Sequence, residues 1–304
     1  MKASYQSGAD ILARWRDDIR SGKPPVRWRL GAGELAGIEF GPGSVLLLGG
    51  APGAGKTAFT MQAVVDALRL TLDLRAVVCN VEMSPAALLD RQLARLSGID
   101  LTLIRHRQLG AEHADRIDQA MHTLEPLAER LAFVRPPFDL ENVAATADAF
   151  EAQMLLLDYI QRIPPPGDNG DRRRAVDATM NYLRQFADAG AAVFVVAAVA
   201  RSKDRKGRSS YEGEALGLAS FRESSELEFG ADDVFLLTPG DGARVTLRHL
   251  KSRNGEARDL PLAFDRRVQR FTPAGVGRGP RQGTGEAGAG GAGARSGGEG
   301  GDGR

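Results

Sequence analysis

The run Gly50-Ala51-Pro52-Gly53-Ala54-Gly55-Lys56-Thr57 is a complete G-x-x-x-x-G-K-[ST] phosphate loop. Its setting limits what the chain can fold into. Val45-Leu46-Leu47-Leu48 precedes it as a short apolar run that predicts a buried strand. Phe59, Ala63, Val64 and Leu68 follow at helical spacing. Strand, glycine loop and helix is the context the motif requires. The glycines let backbone N–H groups turn inward around a phosphate, and the helix N-terminus adds partial positive charge behind them. Gly50, Gly53 and Gly55 shape the cradle, with Ala58 in the first helical turn. Lys56 is placed to reach the β- and γ-phosphates, and Thr57 to ligate Mg²⁺.

Composition sets wide bounds. The 304 residues suit one large α/β domain or two small ones. Lys and Arg number 40 against 39 for Asp and Glu, so any nucleic-acid contact has to come from local patches. The single cysteine, Cys79, sits in an apolar stretch and reads as a buried core thiol. A cytosolic location fits that thiol. No apolar run approaches the ~20 residues of a membrane span, and the N-terminus lacks a signal-peptide core.

Three zones follow. In residues 1–28, Ile11, Leu12, Trp15 and Ile19 fall on one helical face, and Gly22-Lys23-Pro24-Pro25 ends that helix. Such a helix either packs on its own domain or docks on a neighbour. Residues 29–272 alternate strand and helix patterns. Strands are expected at 76–80, 154–157, 193–196, 234–237 and 245–247. Ser84-Pro85 is an N-cap and first-turn pair opening a helix through Leu88, Leu89, Leu93 and Leu96. A further helix carries Ile117, Met121, Leu124 and Leu131. This alternation predicts an α/β fold, a mostly parallel sheet with helices on both faces. Residues 273–304 are glycine-dominated and read as a disordered tail, although Arg278, Arg281, Arg295 and Arg304 offer phosphate contacts.

Two acids extend the site. Met154-Leu155-Leu156-Leu157-Asp158 is an apolar strand ending in an acid, the Walker B pattern, which can hold a Mg²⁺ shell. Glu82 follows the strand at 76–80, where a carboxylate can orient the attacking water or take its proton. The alternative for Glu82 is a surface acid in a helical first turn.

Several motifs together resemble a family. Val81-Glu82-Met83-Ser84, Asp158-Tyr159-Ile160-Gln161, Phe221-Arg222-Glu223-Ser224 and Lys251-Ser252-Arg253-Asn254-Gly255 occur in the order seen in the RecA-like motor domain of DnaB-type replicative helicases. The stretch 104–109 is similar to that family too, and the resemblance covers roughly residues 5–272. It implies a RecA-like P-loop NTPase that uses ATP and Mg²⁺. Lys56 and Thr57 would bind triphosphate and metal, Glu82 would be the catalytic carboxylate and Asp158 the Walker B acid. Gln161 would belong to the same nucleotide-responsive region. Lys251 and Arg253 would reach a neighbouring subunit's γ-phosphate, making activity depend on a homo-oligomeric ring such as a hexamer. Taken alone, Lys251 and Arg253 read as a basic hairpin beside Asn254-Gly255, a type I′ turn signal.

For single-stranded DNA the resemblance points to Arg222, Glu223 and Ser225 as a pore loop. The run Arg201, Lys203, Arg205, Lys206, Arg208 offers a second phosphate-tracking segment or a solvated loop. Three departures stand out. The phosphate loop begins at Gly50, leaving no room ahead for the family's N-terminal helical domain, and the helix at Ile11–Ile19 stands where the family has a docking linker helix. Ala198 stands near a position where the family usually has a glutamine that senses the γ-phosphate. Ser225 replaces a pore-loop glycine. The expectation is an ATP-hydrolysing motor on single-stranded DNA. The alternatives are a non-unwinding ATP-dependent switch or loader, and a nucleotide-binding scaffold.

Overall fold

The apolar runs become strands because each buries both faces, and period-two alternation sends neighbouring side chains into different cores. In β1 (Val45–Gly50), Leu46 and Leu48 face one hydrophobic cluster while Val45 and Leu47 face the other. The computed structural model describes residues 5–167, 172–199, 202–203, 209–210, 217–218, 220–221 and 230–274, with residues 172–177, 202–203 and 209–210 as backbone alone. The described residues fall within one compact unit that ends at Ala274.

The other strands are β2 (Ala76–Asn80), β3 (Leu131–Phe133), β4 (Met154–Asp158), β5 (Ala192–Val196), β6 (Ser202–Lys203), β7 (Ser209–Ser210), β8 (Asp233–Pro239), β9 (Arg244–Ser252), β10 (Leu260–Asp265) and β11 (Arg270–Pro273). Nine form one sheet in the order β11-β10-β9-β8-β1-β5-β4-β2-β3. From β8 to β3 every pairing is parallel, and β9, β10 and β11 add an antiparallel flank. β6 and β7 make a separate two-residue ladder.

The helices are α1 (Gly8–Ser21), α2 (Lys56–Leu70), α3 (Pro85–Ser97), α4 (Leu101–Arg105), α5 (Ala114–Ala128), α6 (Leu140–Phe150) and α7 (Arg172–Asp188). On one face α2 packs Phe59, Val64 and Leu68 into the core, joined by Leu88 of α3 and Leu127 of α5. On the other, α6 contributes Val143 and α7 contributes Leu183. The predicted mostly parallel α/β sheet, covered on both faces, is therefore what forms. Among the described residues no helix is long and apolar enough to cross a membrane.

Local signals hold at several ends. The Ser84 side chain accepts the Ala87 N–H with Pro85 in the first turn of α3. Gly22 ends α1 in the left-handed region at φ 65°. No residue of α1 is buried, and Trp15 keeps 57% of its surface exposed.

Two expectations need correcting. Leu131 does not continue the helix of Ile117 and Met121. α5 ends at Ala128, and Leu131 opens β3, pairing with Ala76. The Arg130 guanidinium donates to the carbonyls of Leu68, Thr71 and Leu74, and the Arg130 carbonyl accepts the Ala76 N–H. These bonds pin the chain to the sheet edge, and three half-buried residues carry no alternation to signal a strand. Nor do Asn254-Gly255 form a type I′ turn, which needs positive φ at both positions. Gly255 is not among the positive-φ residues, and the connection from β9 to β10 runs through 253–259. Asp259 ends that loop by accepting the His249 N–H, which fixes the longer path.

Candidate active site

The site is built at the carboxyl ends of β1, β2, β4 and β5. The loop leaves β1 with Gly53 at φ 76° and Gly55 at φ 94°, conformations that a side chain rarely adopts. Gly55 has a second constraint: a Cβ there would lie 2.8 Å from Phe264 and 2.9 Å from Phe271. Those rings stack at 4.1 Å, and Phe59 of α2 meets Phe271 edge-on, so the antiparallel flank supports the loop from beneath.

Lys56 Nζ donates to the carbonyls of Gly50 and Ala51 at 2.8 and 3.1 Å. Burial lowers its pKa, opposed by the charges of Asp158 and Glu82. Thr57 Oγ1 donates to Asp158 Oδ2 at 2.7 Å, joining the first turn of α2 to the end of β4. Asp158 is buried, and that burial raises its pKa against the pull of Thr57 and Lys56. Glu82 is exposed and lines the same cleft, which holds about 530 Å³ and is also bounded by Lys56, Asp158, Ala198, Phe264 and Arg266.

Asn80 organises the two acids, and the sequence reading gave it no role. It is paired with Asp158 across the β2–β4 ladder, and its Nδ2 donates to Asp158 Oδ2 at 2.9 Å. Its Oδ1 accepts the N–H groups of Glu82 and Met83 at 3.0 and 2.7 Å, which fixes the chain that carries the carboxylate. The available signal was a polar residue closing an apolar strand beside a strand that ends in an acid.

Gln161 is expected among the nucleotide-binding residues, yet its amide turns to Ala198. Its Nε2 donates to the Ala198 carbonyl at 3.2 Å and its Oε1 accepts the Ala198 N–H at 3.1 Å. The amide continues the β4–β5 ladder beyond its last pair, Asp158 with Val196.

Lys251 and Arg253 lie at the opposite end of the sheet. β8 pairs Leu46 with Asp233 and Gly50 with Leu237, so residues beside Asp233 sit where β1 begins, not where the loop leaves it. Arg253 Nη1 donates to Asp232 Oδ1 at 2.7 Å, and Lys251 Nζ donates to the Ala231 carbonyl at 2.9 Å. Asp232, also missed from sequence, is buried and pairs with Arg184 at 3.0 Å while accepting the Val45 N–H. Five residues of strand, roughly 17 Å at 3.3 Å per residue, separate Arg253 from the loop of its own chain. Arg201, Arg205, Arg222, Glu223 and Ser225 lie outside the described residues, as does the side chain of Lys203.

The residues present fit a Mg²⁺–nucleotide. Among the described residues there is no cluster of three or more His, Cys, Asp or Glu suited to a metal. Thr57 and Asp158 would hold a magnesium ion whose remaining ligands would come from phosphate and water, the usual arrangement for this ion. A cation there also relieves the burial of the Asp158 carboxylate.

Fold and cleft together define the RecA-like phosphate-loop class. The chain belongs to the DnaB-like helicase C terminal domain family, which matches residues 35–273. Replicative DNA helicase DnaB of Rickettsia felis is 23% identical over 271 residues, covering 76% of this chain and 54% of that protein. A probable plasmid replicative DNA helicase of Chlamydia trachomatis is 19% identical, covering 78% of this chain and 52% of that protein. The chain thus spans about half the length of the curated relatives it matches. An ATPase domain of known structure superposes with a TM-score of 0.76 at 18% identity, covering 89% of this chain and 99% of that one. A DnaB-like replicative helicase, solved in a study of its interactions with primase, gives a TM-score of 0.73 at 16% identity, covering 89% of this chain and 67% of that one.

Proposed function

We propose that this chain hydrolyses ATP with Mg²⁺ as one subunit of a cytosolic homo-oligomeric ring that works on single-stranded DNA. The carrying observation is that Thr57 and Asp158 are hydrogen-bonded within a cleft that also receives Lys56 and Glu82. In that arrangement Lys56 binds the β- and γ-phosphates, exchanging loop carbonyls for phosphate oxygens. Mg²⁺, when bound at Thr57 and Asp158, neutralises phosphate charge. Glu82 accepts the proton of the attacking water, oriented through Asn80. Arg253, with Lys251 beside it, serves the site of the next subunit. The exposed apolar stripe of α1 docks on a neighbouring copy, which gives the ring a second contact.

Binding to DNA rests on Arg222, Glu223 and Ser225 together with Arg201, Lys203 and Arg205. With a net charge of +1, affinity has to come from such local segments. Each single-strand phosphate contact contributes roughly 0.7 to the log–log salt slope.

The deciding experiment measures ATPase rate with and without single-stranded DNA across a salt titration, alongside the mass of the assembly. Hydrolysis stimulated by DNA in an oligomer is expected. An ATPase that ignores DNA, in a protein that shows no binding at low salt, favours the second reading: an ATP-dependent switch or loader. Ala198 supports that alternative, because its methyl group lines the cleft with nothing to bond a γ-phosphate.

A further inference from the structure

Asp232 stands immediately before β8, where β1 begins. Its backbone is held on both sides. Its N–H donates to the Val45 carbonyl at 2.8 Å, and its own carbonyl accepts the Arg253 N–H at 2.9 Å. The β8–β9 ladder thus continues one step past Asp233 and Ser252, its last pair, and sets Arg253 beside Asp232.

The two carboxylate oxygens of Asp232 do different things. Oδ2 accepts the Val45 N–H at 2.8 Å and pairs with Arg184 Nη1 of α7 at 3.0 Å, tying strand and helix together at the sheet end. Arg184 also donates to the Gly230 carbonyl. Oδ1 accepts from Arg253 Nη1 at 2.7 Å. The Asp232 side chain is 7% exposed and that of Arg253 50%. A buried carboxylate thus holds one corner of a guanidinium that otherwise reaches into solvent. Because the fork is planar and rigid, fixing one of its donors fixes the direction of the others. One carboxylate against two guanidiniums leaves a single net positive charge, on the side that faces out.

We propose that Asp232 is a positioning residue for the reaction: its Oδ1 aims Arg253 at the nucleotide site of the next subunit. The proposal rests on the reading of Arg253 given above and adds the group that orients it. A long side chain loses rotamer freedom when it meets a phosphate. Anchoring Arg253 beforehand moves that loss into folding, so the cation is already in place when charge develops on the γ-phosphate. Asp232→Asn separates the two roles. With its amide oxygen at the Oδ2 position it still accepts from Val45 and Arg184, while the amide nitrogen meets Arg253 and cannot accept from it.

The test is steady-state ATP hydrolysis with Mg²⁺, together with calorimetric binding of ADP and melting temperature, for wild type, Asp232→Asn, Asp232→Glu, Arg253→Ala and the double variant Asp232→Asn with Arg253→Ala. Asp232→Asn should lower kcat about 10- to 100-fold, the worth of a hydrogen bond between charged groups, while ADP affinity stays within about 2-fold. Asp232→Glu keeps the charge and should recover part of the rate; it decides the matter if Asp232→Asn does not fold. In the Arg253→Ala background Asp232→Asn should cost no further turnover, because the group it aims is gone. Mixing Asp232→Asn subunits with Lys56→Ala subunits should restore activity, since the latter bring a correctly held Arg253 to an intact site. Normal kcat in Asp232→Asn, a loss that adds in full to that of Arg253→Ala, or no recovery in verified mixed assemblies would overturn the proposal. Wild-type turnover by Arg253→Ala would instead overturn the reading of Arg253 beneath it.

Discussion

At the carboxyl ends of β1, β2 and β4, Thr57, Asn80 and Asp158 form one hydrogen-bonded group beside Lys56; at the other end of the same sheet, Arg184, Arg253 and Asp232 form another. Their electrostatics differ. Near the phosphate loop, burial works against both charges, lowering the pKa of Lys56 and raising that of Asp158. Desolvation there is a cost that a metal–phosphate ligand can offset. At the far end one buried carboxylate is matched by two guanidiniums, and Arg253 keeps half of its side chain in solvent. That group is already satisfied and still presents a cation outward. One end carries buried charges that a ligand would relieve, and the other, in the function proposed above, holds a charge for a neighbouring subunit.

The largest expected effect tests whether the two ends serve one site. Arg253→Ala should leave nucleotide affinity near normal and lower turnover by about 10³-fold or more, as loss of an arginine finger does. Because Arg253 also pairs with Asp232, the melting temperature should be measured alongside. Mixed assemblies of Arg253→Ala with Lys56→Ala subunits should regain part of the activity, since each supplies what the other lacks. No recovery in verified mixed assemblies would mean that the far end has a structural role alone.

Next in size is the carboxylate. Glu82→Gln should retain nucleotide binding and lose turnover by about 10²- to 10⁴-fold, the usual contribution of a general base. Lys56→Ala should instead lose binding. Normal hydrolysis by Glu82→Gln would move the base to another residue and leave Glu82 as a helix-terminal acid.

Much of the phosphate-loop end is legible in the sequence because its chemistry is local. Gly50 to Thr57 is contiguous, and Asp158 is announced by the apolar strand it ends. The fold is legible for the same reason: β1, β2, β4 and β5 are apolar on both faces, which only a covered parallel sheet uses. What escaped depends on register or on distant partners. Asn80 matters because β2 lies beside β4 with Asn80 opposite Asp158. The pairing of the Gln161 amide with the Ala198 backbone joins residues 37 positions apart, and no local pattern announces it. The same holds for Arg91, which donates to Gln269 178 positions away. Asn254-Gly255 misleads because a tight-turn dipeptide is overridden by Asp259 and Asp232 holding the loop ends.

A smaller effect concerns how the far end finds a neighbour. Ile11, Leu12, Trp15 and Ile19 are all exposed on α1, an apolar stripe that is costly to leave in water. Deleting residues 1–22 should lower the mass of the assembly while leaving nucleotide affinity within about 2-fold. ATPase should fall with the loss of assembly, because Arg253 then has no neighbour to serve. An unchanged mass profile would remove α1 from the interface and leave the ring to other contacts.

The smallest effect probes the claim that the loop end is held at a cost. Burial raises the Asp158 pKa above that of an unfolded aspartate, so the folded protein binds a proton more readily than the unfolded chain. Stability from this group therefore falls as pH rises from the ordinary carboxylate range through the folded value. The penalty is complete above the folded value and absent below about pH 4, the ordinary aspartate pKa. Asp158→Asn keeps an acceptor for the Thr57 hydroxyl and removes the buried charge. In metal-free buffer at pH 7 it should melt above wild type while losing Mg²⁺-dependent turnover, and the difference in melting temperature should shrink on acidification toward pH 4. A variant that melts below wild type at pH 7 would mean that the attraction between Asp158 and Lys56 outweighs the burial of the carboxylate. The contrast between a costly loop end and a satisfied far end would then fail at its most buried acid.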